Sequence, residues 1–546
     1  MKKSLSLLIS FCSVFAFVGF LPTSARAETQ FRYASPEGTY AGDCSISAPC
    51  SIQRAVDLSN SAGAGVQTTI YLKSGTYVAD TSQWYPEVIH ITNSVKIIGR
   101  CDFSTGSPVC SPENAPSILY GETHRRIIKL QLADPEIIHL FNLTLDSGNG
   151  TEQSPTECPD EGVGDPVGCG GAIFATVGAF GQNELKIENC VFQSNYGRVN
   201  EYGTTGEQGL GGAISLSNFG VLKIDNSTFD HNVAILDGYG YGGAIRNSGG
   251  QTIIKNTSFL GNRCTFYAKI GAGCAVQIKN EDGLTEISDS KFVFNNHDTT
   301  PAEDKRRPGS AIYLSSNDQV KIAGNILTEN NGESALFVRF PLASSSNLIT
   351  QNQFHANFTD YAVDLQYAAA GTSPANMDFF HNFVGYQWGY DEDGVETRGV
   401  RVQSDISTNR LRVNFWHNSL ACLDLGVYMV DFVDVDFINN IIAHAYEAAR
   451  AYKHYPPSGP EITGHTNLTY FSNIVDLPDT DLVNADPKFV NLFTGDLHLK
   501  PNSPAIDRAA NLGLVTDIDG EQRPFGDPDI GADEYMAWQF LPHLLK

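Results

Sequence analysis

Short apolar runs alternate with polar turns from about residue 130 onward, and helical periodicity is nearly absent there. Leu185-Lys186-Ile187, Leu222-Lys223-Ile224 and Val320-Lys321-Ile322 read in-out-in, the period of a strand with one buried face. Gly, Asn, Asp and Ser fill the gaps. Two signatures recur on this background. Gly-Gly-Ala-Ile stands at Gly170–Ile173, Gly211–Ile214 and Gly242–Ile245, and degrades through Gly273–Val276, Gly309–Ile312 and Glu333–Leu336. Phe-x-x-Asn pairs Phe192 with Asn195, Phe229 with Asn232, Phe259 with Asn262 and Phe292 with Asn295. It resumes at Phe354/Asn357, Phe379/Asn382, Phe415/Asn418 and Phe437/Asn440, with Leu327/Asn330 in the gap.

The repeated Ala advances in steps of 41, 31, 31, 36 and 24 residues. α-Solenoid repeats keep a nearly constant length, whereas the turns of a β-helix swell without disturbing the stack. The expected fold is therefore all-β, a single-stranded right-handed parallel β-helix. Ala, Ile and Phe would point inward and stack on their counterparts one coil away, at about 4.8 Å. The glycines allow left-handed turns, and the asparagines are expected to form amide ladders rather than a catalytic set. Ser51–Ser61 carries Ile52, Ala55, Val56 and Leu58 at helical spacing behind the N-cap candidate Ser51. That segment is expected to lid the N-terminal end. Strands at Thr69–Leu72, Val88–Ile91 and Val95–Ile98 would start the coil, and an irregular cap would close the C-terminal end. The expected division is 1–27 leader, 28–480 β-helix, 481–535 C-terminal segment and 536–546 tail.

Lys2 and Lys3, an apolar run from Leu5 to Leu21 and the triplet Ala25-Arg26-Ala27 mark residues 1–27 as a secretory signal. No later segment is apolar enough to act as a transmembrane anchor. The net charge of −25 falls to −28 without the leader's Lys2, Lys3 and Arg26, which makes nucleic acid and anionic lipid poor partners. Ten cysteines follow the leader. Cys44/Cys50, Cys101/Cys110, Cys158/Cys169 and Cys264/Cys274 are spaced as disulfides of an exported chain, and lack Cys-x-x-Cys metal spacing. Cys190 and Cys422 are left as buried thiols.

Three resemblances rest on these residues. The alternation of Gly-Gly-Ala-Ile with Phe-x-x-Asn over roughly 168–440 resembles the repeats of chlamydial polymorphic outer-membrane proteins, which implies a surface adhesin; the membrane barrel of that family has no counterpart here. Tyr33-Ala34-Ser35-Pro36, Ile52–Val56, Ile70–Leu72, Gly75–Tyr77 and Ile97–Gly99 are similar to the entry of pectin-lyase-like β-helices. That resemblance implies action on, or binding of, acidic polysaccharides. Asp486–Phe489, Gly495–Leu499, Ser503–Asp507, Asp517–Gly520, Arg523-Pro524 and Asp529–Tyr535 are similar to "choice-of-anchor Q" bacterial surface proteins, implying a surface location and no particular chemistry.

No catalytic set is recognised. The Asn-Thr-Asp, Asp-Asp, Gly-His-Gly and Arg-Ile-Lys quartet that marks polygalacturonases is missing. Tyr386, Trp388 and Tyr390 alternate beside Asp391, Glu392 and Asp393, aromatic faces for sugar rings next to acids suited to calcium. Asp517-x-Asp519-Gly520 imitates the start of a calcium loop without its distal ligand, and Arg523 near Asp529, Asp533 and Glu534 suggests a salt-bridged turn there. Lys305, Arg306 and Arg307 form a basic run fit for an acidic sugar. His231, His381 and His417 each precede a signature Asn, on comparable positions of different coils. The first expectation is a secreted or surface-associated, non-enzymatic protein that binds extracellular polysaccharide or cell-surface glycan. The alternatives are a calcium-dependent lyase of uronate polymers and an architectural envelope protein.

Overall fold

A computed structural model describes residues 29–536 apart from 64–65, 80–86, 134, 151–166, 177–180, 199–207, 238, 268–270, 281–282, 297–308, 317–318, 341–346, 369–374, 388–395, 405–409, 454–458, 474–475 and 478–481. The leader, Cys158, Lys305–Arg307, Trp388, Tyr390, Asp391 and Asp393 lie outside the described residues.

The chain winds as a right-handed parallel β-helix. In one coil, Glu184–Glu188 joins a 15-stranded sheet, while Val191–Gln193 and Ile214–Ser217 join a 24-stranded sheet. Two small parallel sheets, Val167–Cys169 to Gly271–Ala272 and Tyr196–Arg198 to Arg263–Tyr267, form where early coils bulge between those strands. Like residues sit on like. Ile173, Ile214, Ile245, Val276, Ile312, Leu336, Val363, Val400, Val427 and Ala449 form one inward column in continuous register. The repeated Ala residues before them are fully buried. Gly211 shows what the paired glycines do: its φ is 63°, and a Cβ there would stand 2.0 Å from the Ile214 carbonyl oxygen.

The asparagines form ladders, but two of them. Asn195, Asn232, Asn262, Asn295, Asn330 and Asn357 are joined side chain to side chain, each Nδ2 donating to the next Oδ1 at 2.9–3.0 Å. Asn325, Asn352, Asn382, Asn418, Asn440 and Asn467 form a second ladder at a different corner, at 3.0–3.1 Å. The Phe-x-x-Asn series is thus not one track. Phe192, Phe229, Phe259 and Phe292 stack at 4.6–5.0 Å on the 24-stranded sheet. Phe379, Phe415 and Phe437 instead continue the column of Ile287, Ile322 and Ile349 in the 15-stranded sheet. Both corners share one geometry, a left-handed residue followed by an inward amide, so one motif serves either. In earlier coils Cys190, Ser227, Thr257 and Ser290 fill the second corner, where the Ser227 and Ser290 hydroxyls accept the backbone N–H of Cys190 and Thr257.

Ile52–Asn60 is the one long helix among the described residues, with Ser51 accepting from the Arg54 amide. It buries Ile52, Ala55 and Val56 on the first coil. Gln53 Nε2 donates to the Val78 and Val88 carbonyls, and Asn60 to that of His90, so the lid also satisfies polar groups at the open end. Disulfides join Cys44 to Cys50, Cys101 to Cys110 and Cys264 to Cys274; Cys169 is disulfide-bonded too. Cys190 is a buried free thiol, its pKa pushed up to about 12 by burial. Cys422, expected to be buried as well, is only half-buried, because it occupies a left-handed corner (φ 57°) instead of an inward strand position.

The C-terminal segment packs along the side of the late coils. Phe489, Leu497, Leu499, Ala505, Ile518, Ile530 and Ala532 form a separate core with Phe383, Ala421, Ile441, Ala443 and Leu468. Arg523 and Glu534 pair at 3.3 Å in full burial.

A ladder amide cannot be removed without stranding its neighbours. Asn262 accepts from the Asn232 amide and side chain and donates to Asn295 and the Phe229 carbonyl. Asn262→Ala is expected to destabilise by about 3 kcal/mol, at about 1–3 kcal/mol for each buried group left unpaired. Half-buried Asn414→Ala, on a strand and losing one bond to Asp378, should change the denaturant midpoint little. Equal effects from the two substitutions would refute a stabilising ladder.

Candidate functional site

Tyr386 is the aromatic of the expected sugar-binding run that the structure places. It occupies a left-handed corner (φ 39°), half-buried, with its ring 6.1 Å from His355 and 6.5 Å edge-on to Phe493. Gly385, Ala421, Ala443 and Tyr470 are in register, so the residues after them, Tyr386, Cys422, His444 and Phe471, form one column up this corner. His444 and Phe471 stack at 5.5 Å.

The metal expectation at Asp517 and Asp519 meets a crowded site. The Asp517 carboxylate is buried and accepts three backbone N–H groups, from Asp519, Glu521 and Glu534. Asp519 is spent on His498, whose Nε2 donates to it at 2.7 Å while Nδ1 donates to Asp496 at 2.5 Å. Ligand atoms of His498, Asp519 and Asp533 lie within 4.8 Å of one another, so a cation there competes with the proton on His498. That proton is firmly held: the hydrogen bond to Asp519 raises His498 to about 9, against burial. Burial pushes Asp533 up to about 6 and Asp529 to about 7.

The three histidines separate in the same way as the asparagines. His231 stands exposed on the first corner, bonded to Asp230. His381 and His417 are buried on consecutive coils of the second, 5.5 Å apart, beneath Arg523 of the C-terminal segment. Burial and the Arg523 charge hold both rings well below the usual histidine range, hence neutral.

The most chemically equipped surface lies one position beyond the inward Ile column. Tyr313, Phe337, Asp364, Arg401, Tyr428 and Arg450 are in register on six consecutive coils, opposite in phase to the inward column, although Phe337 and Asp364 are themselves buried. Two positions before the column, Tyr361 pairs with Arg398. The Arg401 guanidinium lies 4.2 Å from the Tyr361 ring centroid; that of Arg398 lies 5.2 Å from Tyr361 and 5.5 Å from Tyr428. Arg401 is bonded to Asp364 and donates to Glu333 at 3.1 Å. Arg398 donates to the Tyr361 hydroxyl at 2.7 Å and lies 3.3 Å from Glu396. Arg450 bridges Glu396 at 3.0 Å and Glu447 at 2.6 Å, which lowers the Glu396 carboxyl. Burial raises the Asp364 carboxyl against the pull of Arg401, and Asp364 is fully enclosed, so it reaches no substrate. The outer rim is open: Tyr452 is 44% exposed and Tyr446 69%. Rigid rings flanked by fixed donors and acceptors suit a hydroxyl-rich ligand.

Reading the sequence for local clusters missed this platform, because its members are 22 to 37 residues apart. Aligning the chain on the Ala-Ile track and reading the next residue of each coil would have found them.

No family model and no curated protein sequence matches the chain. Among solved structures it is similar to pectate lyase Pel9A, at 12% identity and a TM-score of 0.31, covering 94% of this chain and 98% of that one. It is also similar to XylC in complex with xylose (8%, 0.37, 93% and 98%) and to a rhamnogalacturonan lyase (12%, 0.27, 85% and 91%). No residue role is carried over from these structures.

The imidazolium clamp makes the C-terminal segment sensitive to alkali. The folded pKa of His498, about 9, stands above an unfolded value of about 6.5. Its stabilisation is therefore fully present below about pH 6.5 and lost as pH rises through about 9. Amide exchange at Leu499, corrected for intrinsic rate, should lose protection between about pH 7 and about pH 10 relative to Asn262. His498→Gln should flatten that loss. Protection that is constant across the range would exclude the clamp.

Proposed function

We propose that this chain is an exported, surface-associated protein that binds carbohydrate, an extracellular polysaccharide or a cell-surface glycan, through the flank of its β-helix, without cleaving it. The observation that carries this reading is the platform of half-buried Tyr428 and exposed Tyr452 beside Arg398 and Arg450, with Tyr361 buried beneath the guanidiniums, where rings and ordered donors and acceptors are fixed on consecutive coils. Binding rather than cleavage is favoured by its chemistry: Asp364 is enclosed, and Arg398, Arg401 and Arg450 are each committed to carboxylates, so none stands ready as a base. Export is supported by the leader-like residues 1–27 and by the disulfides. No helix among the described residues is long and apolar enough to cross a membrane. The resemblance of the repeats to polymorphic outer-membrane proteins, and of the C-terminus to choice-of-anchor Q proteins, supports a place at the cell surface. Tyr386, Trp388 and Tyr390 remain candidate contacts, as do Lys305, Arg306 and Arg307. The acids Asp391 and Asp393 remain candidate calcium ligands.

Glycan-array binding by the secreted chain tests the proposal. Binding is expected, and Tyr428→Ala should weaken it by about tenfold, roughly 1.4 kcal/mol, the scale of one lost aromatic contact. An array on which the folded wild-type protein binds nothing would refute the reading. Incubation with uronate polymers and calcium should produce no ultraviolet absorbance of unsaturated ends; its appearance would replace binding with lysis.

A further inference from the structure

The charge pattern of the platform restricts which carbohydrate it takes, an inference that rests on the binding role proposed above. Three guanidiniums, those of Arg398, Arg401 and Arg450, meet four carboxylates, Glu333, Asp364, Glu396 and Glu447. The cations are thus neutralised before a ligand arrives, on a chain of net charge −25. A uronate approaching them gains no unmatched positive charge and is repelled by the surplus acid. A second outward row runs beside them: Arg339, Gln366, Gln403, Val430 and Tyr452 are in register on consecutive coils. It offers the half-buried Gln366 and Gln403, the first with its Nε2 already donating to Asp364 at 3.1 Å, and the exposed Tyr452 ring, while Val430 is buried. Charge reappears toward the early end of the row, at exposed Arg339, which has no ion pair among the described residues, and two coils earlier at Lys279.

We infer that the platform binds a neutral, hydroxyl-rich polysaccharide, laid along the Gln366–Gln403–Tyr452 row with its rings against Tyr428 and Tyr452 and its hydroxyls on the glutamine side chains. Amides accept from and donate to sugar hydroxyls without requiring a charge on the ligand. Aromatic faces contribute through the apolar side of the pyranose ring.

The experiment is a binding titration of the full secreted chain against neutral polymers (xylan, mannan and β-glucan) and uronate polymers (polygalacturonate and alginate). Each is run at about 0.01 M and about 1 M salt, where the Debye length falls from about 30 to about 3 Å. The expected result is binding to a neutral polymer that changes less than about twofold with salt. Tyr452→Ala should weaken it about tenfold, and Arg339→Ala should leave it unchanged. Binding to a uronate polymer alone, abolished by salt and weakened about tenfold by Arg339→Ala, would overturn the inference while leaving a carbohydrate-binding role intact. Binding to no polymer and to no glycan would overturn both. Circular dichroism of each variant confirms that the coil is folded.

Discussion

Everything in this molecule depends on side-chain amides that bond across coils. A strand exposes alternate residues to opposite faces, so a slip of one position would turn a coil's Ile inside out. Within Asn195–Asn357 and Asn325–Asn467 each interior amide accepts from the backbone and side chain of the Asn one coil before it and donates to the Asn one coil on. No other placement satisfies these buried groups together. Two such corners fix where each coil turns. Coil length is then free to vary between them, which is how Ala-to-Ala steps of 24 to 41 residues coexist with unbroken register.

That division explains what could be read in advance. The fold was legible because the ladder and the inward columns demand particular residues, and demand them repeatedly: Ala172, Ala213 and Ala244, or Phe192, Phe229 and Phe259. Phe379, Phe415 and Phe437 lie on a different track from Phe192, Phe229 and Phe259, since Phe-x-x-Asn describes a corner and not which corner. Only the substitution series Ser290, Asn325, Asn352, Asn382 reveals the second one, and serine does not look like asparagine in a sequence. The platform was illegible for a different cause. Outward positions carry no repeated residue, and Arg398, Tyr428 and Arg450 become neighbours only through the register of the inward residues beside them.

The C-terminal segment illustrates the same point in its electrostatics. Asp517-x-Asp519-Gly520 has the composition of a cation loop, yet the structure spends Asp517 on backbone amides and Asp519 on a protonated histidine. Acidic residues near one another in sequence announce charge, not its partner. His498, 21 residues before Asp519, supplies it.

The placement of that segment also limits where function can reside. It covers the second corner, where Gln351 donates to the Asp517 carbonyl, Asn439 exchanges hydrogen bonds with Ala510, and His381 and His417 are held neutral under Arg523. Over its middle coils, the outward face of the 15-stranded sheet is closed by cross-coil ion pairs such as Lys223 with Glu184 and Glu286 with Lys255 and Lys321. Exposed pairs of this kind contribute little stability and leave few unmatched groups for a ligand. Among the described residues, Phe471, Tyr446 and Tyr452 are the exposed rings on this side, beyond the part of Ser419–Asp431 and Ile441–Tyr452 that packs on the C-terminal segment. Those two strands are continuous through the corner, so Tyr452, Tyr446 and His444 are carried by one strand, Ile441–Tyr452. Under the proposed binding role, a polymer laid along the Gln366–Gln403–Tyr452 row would cross successive coils at right angles to their strands, and the register of those strands would set the spacing of its contacts at about 4.8 Å.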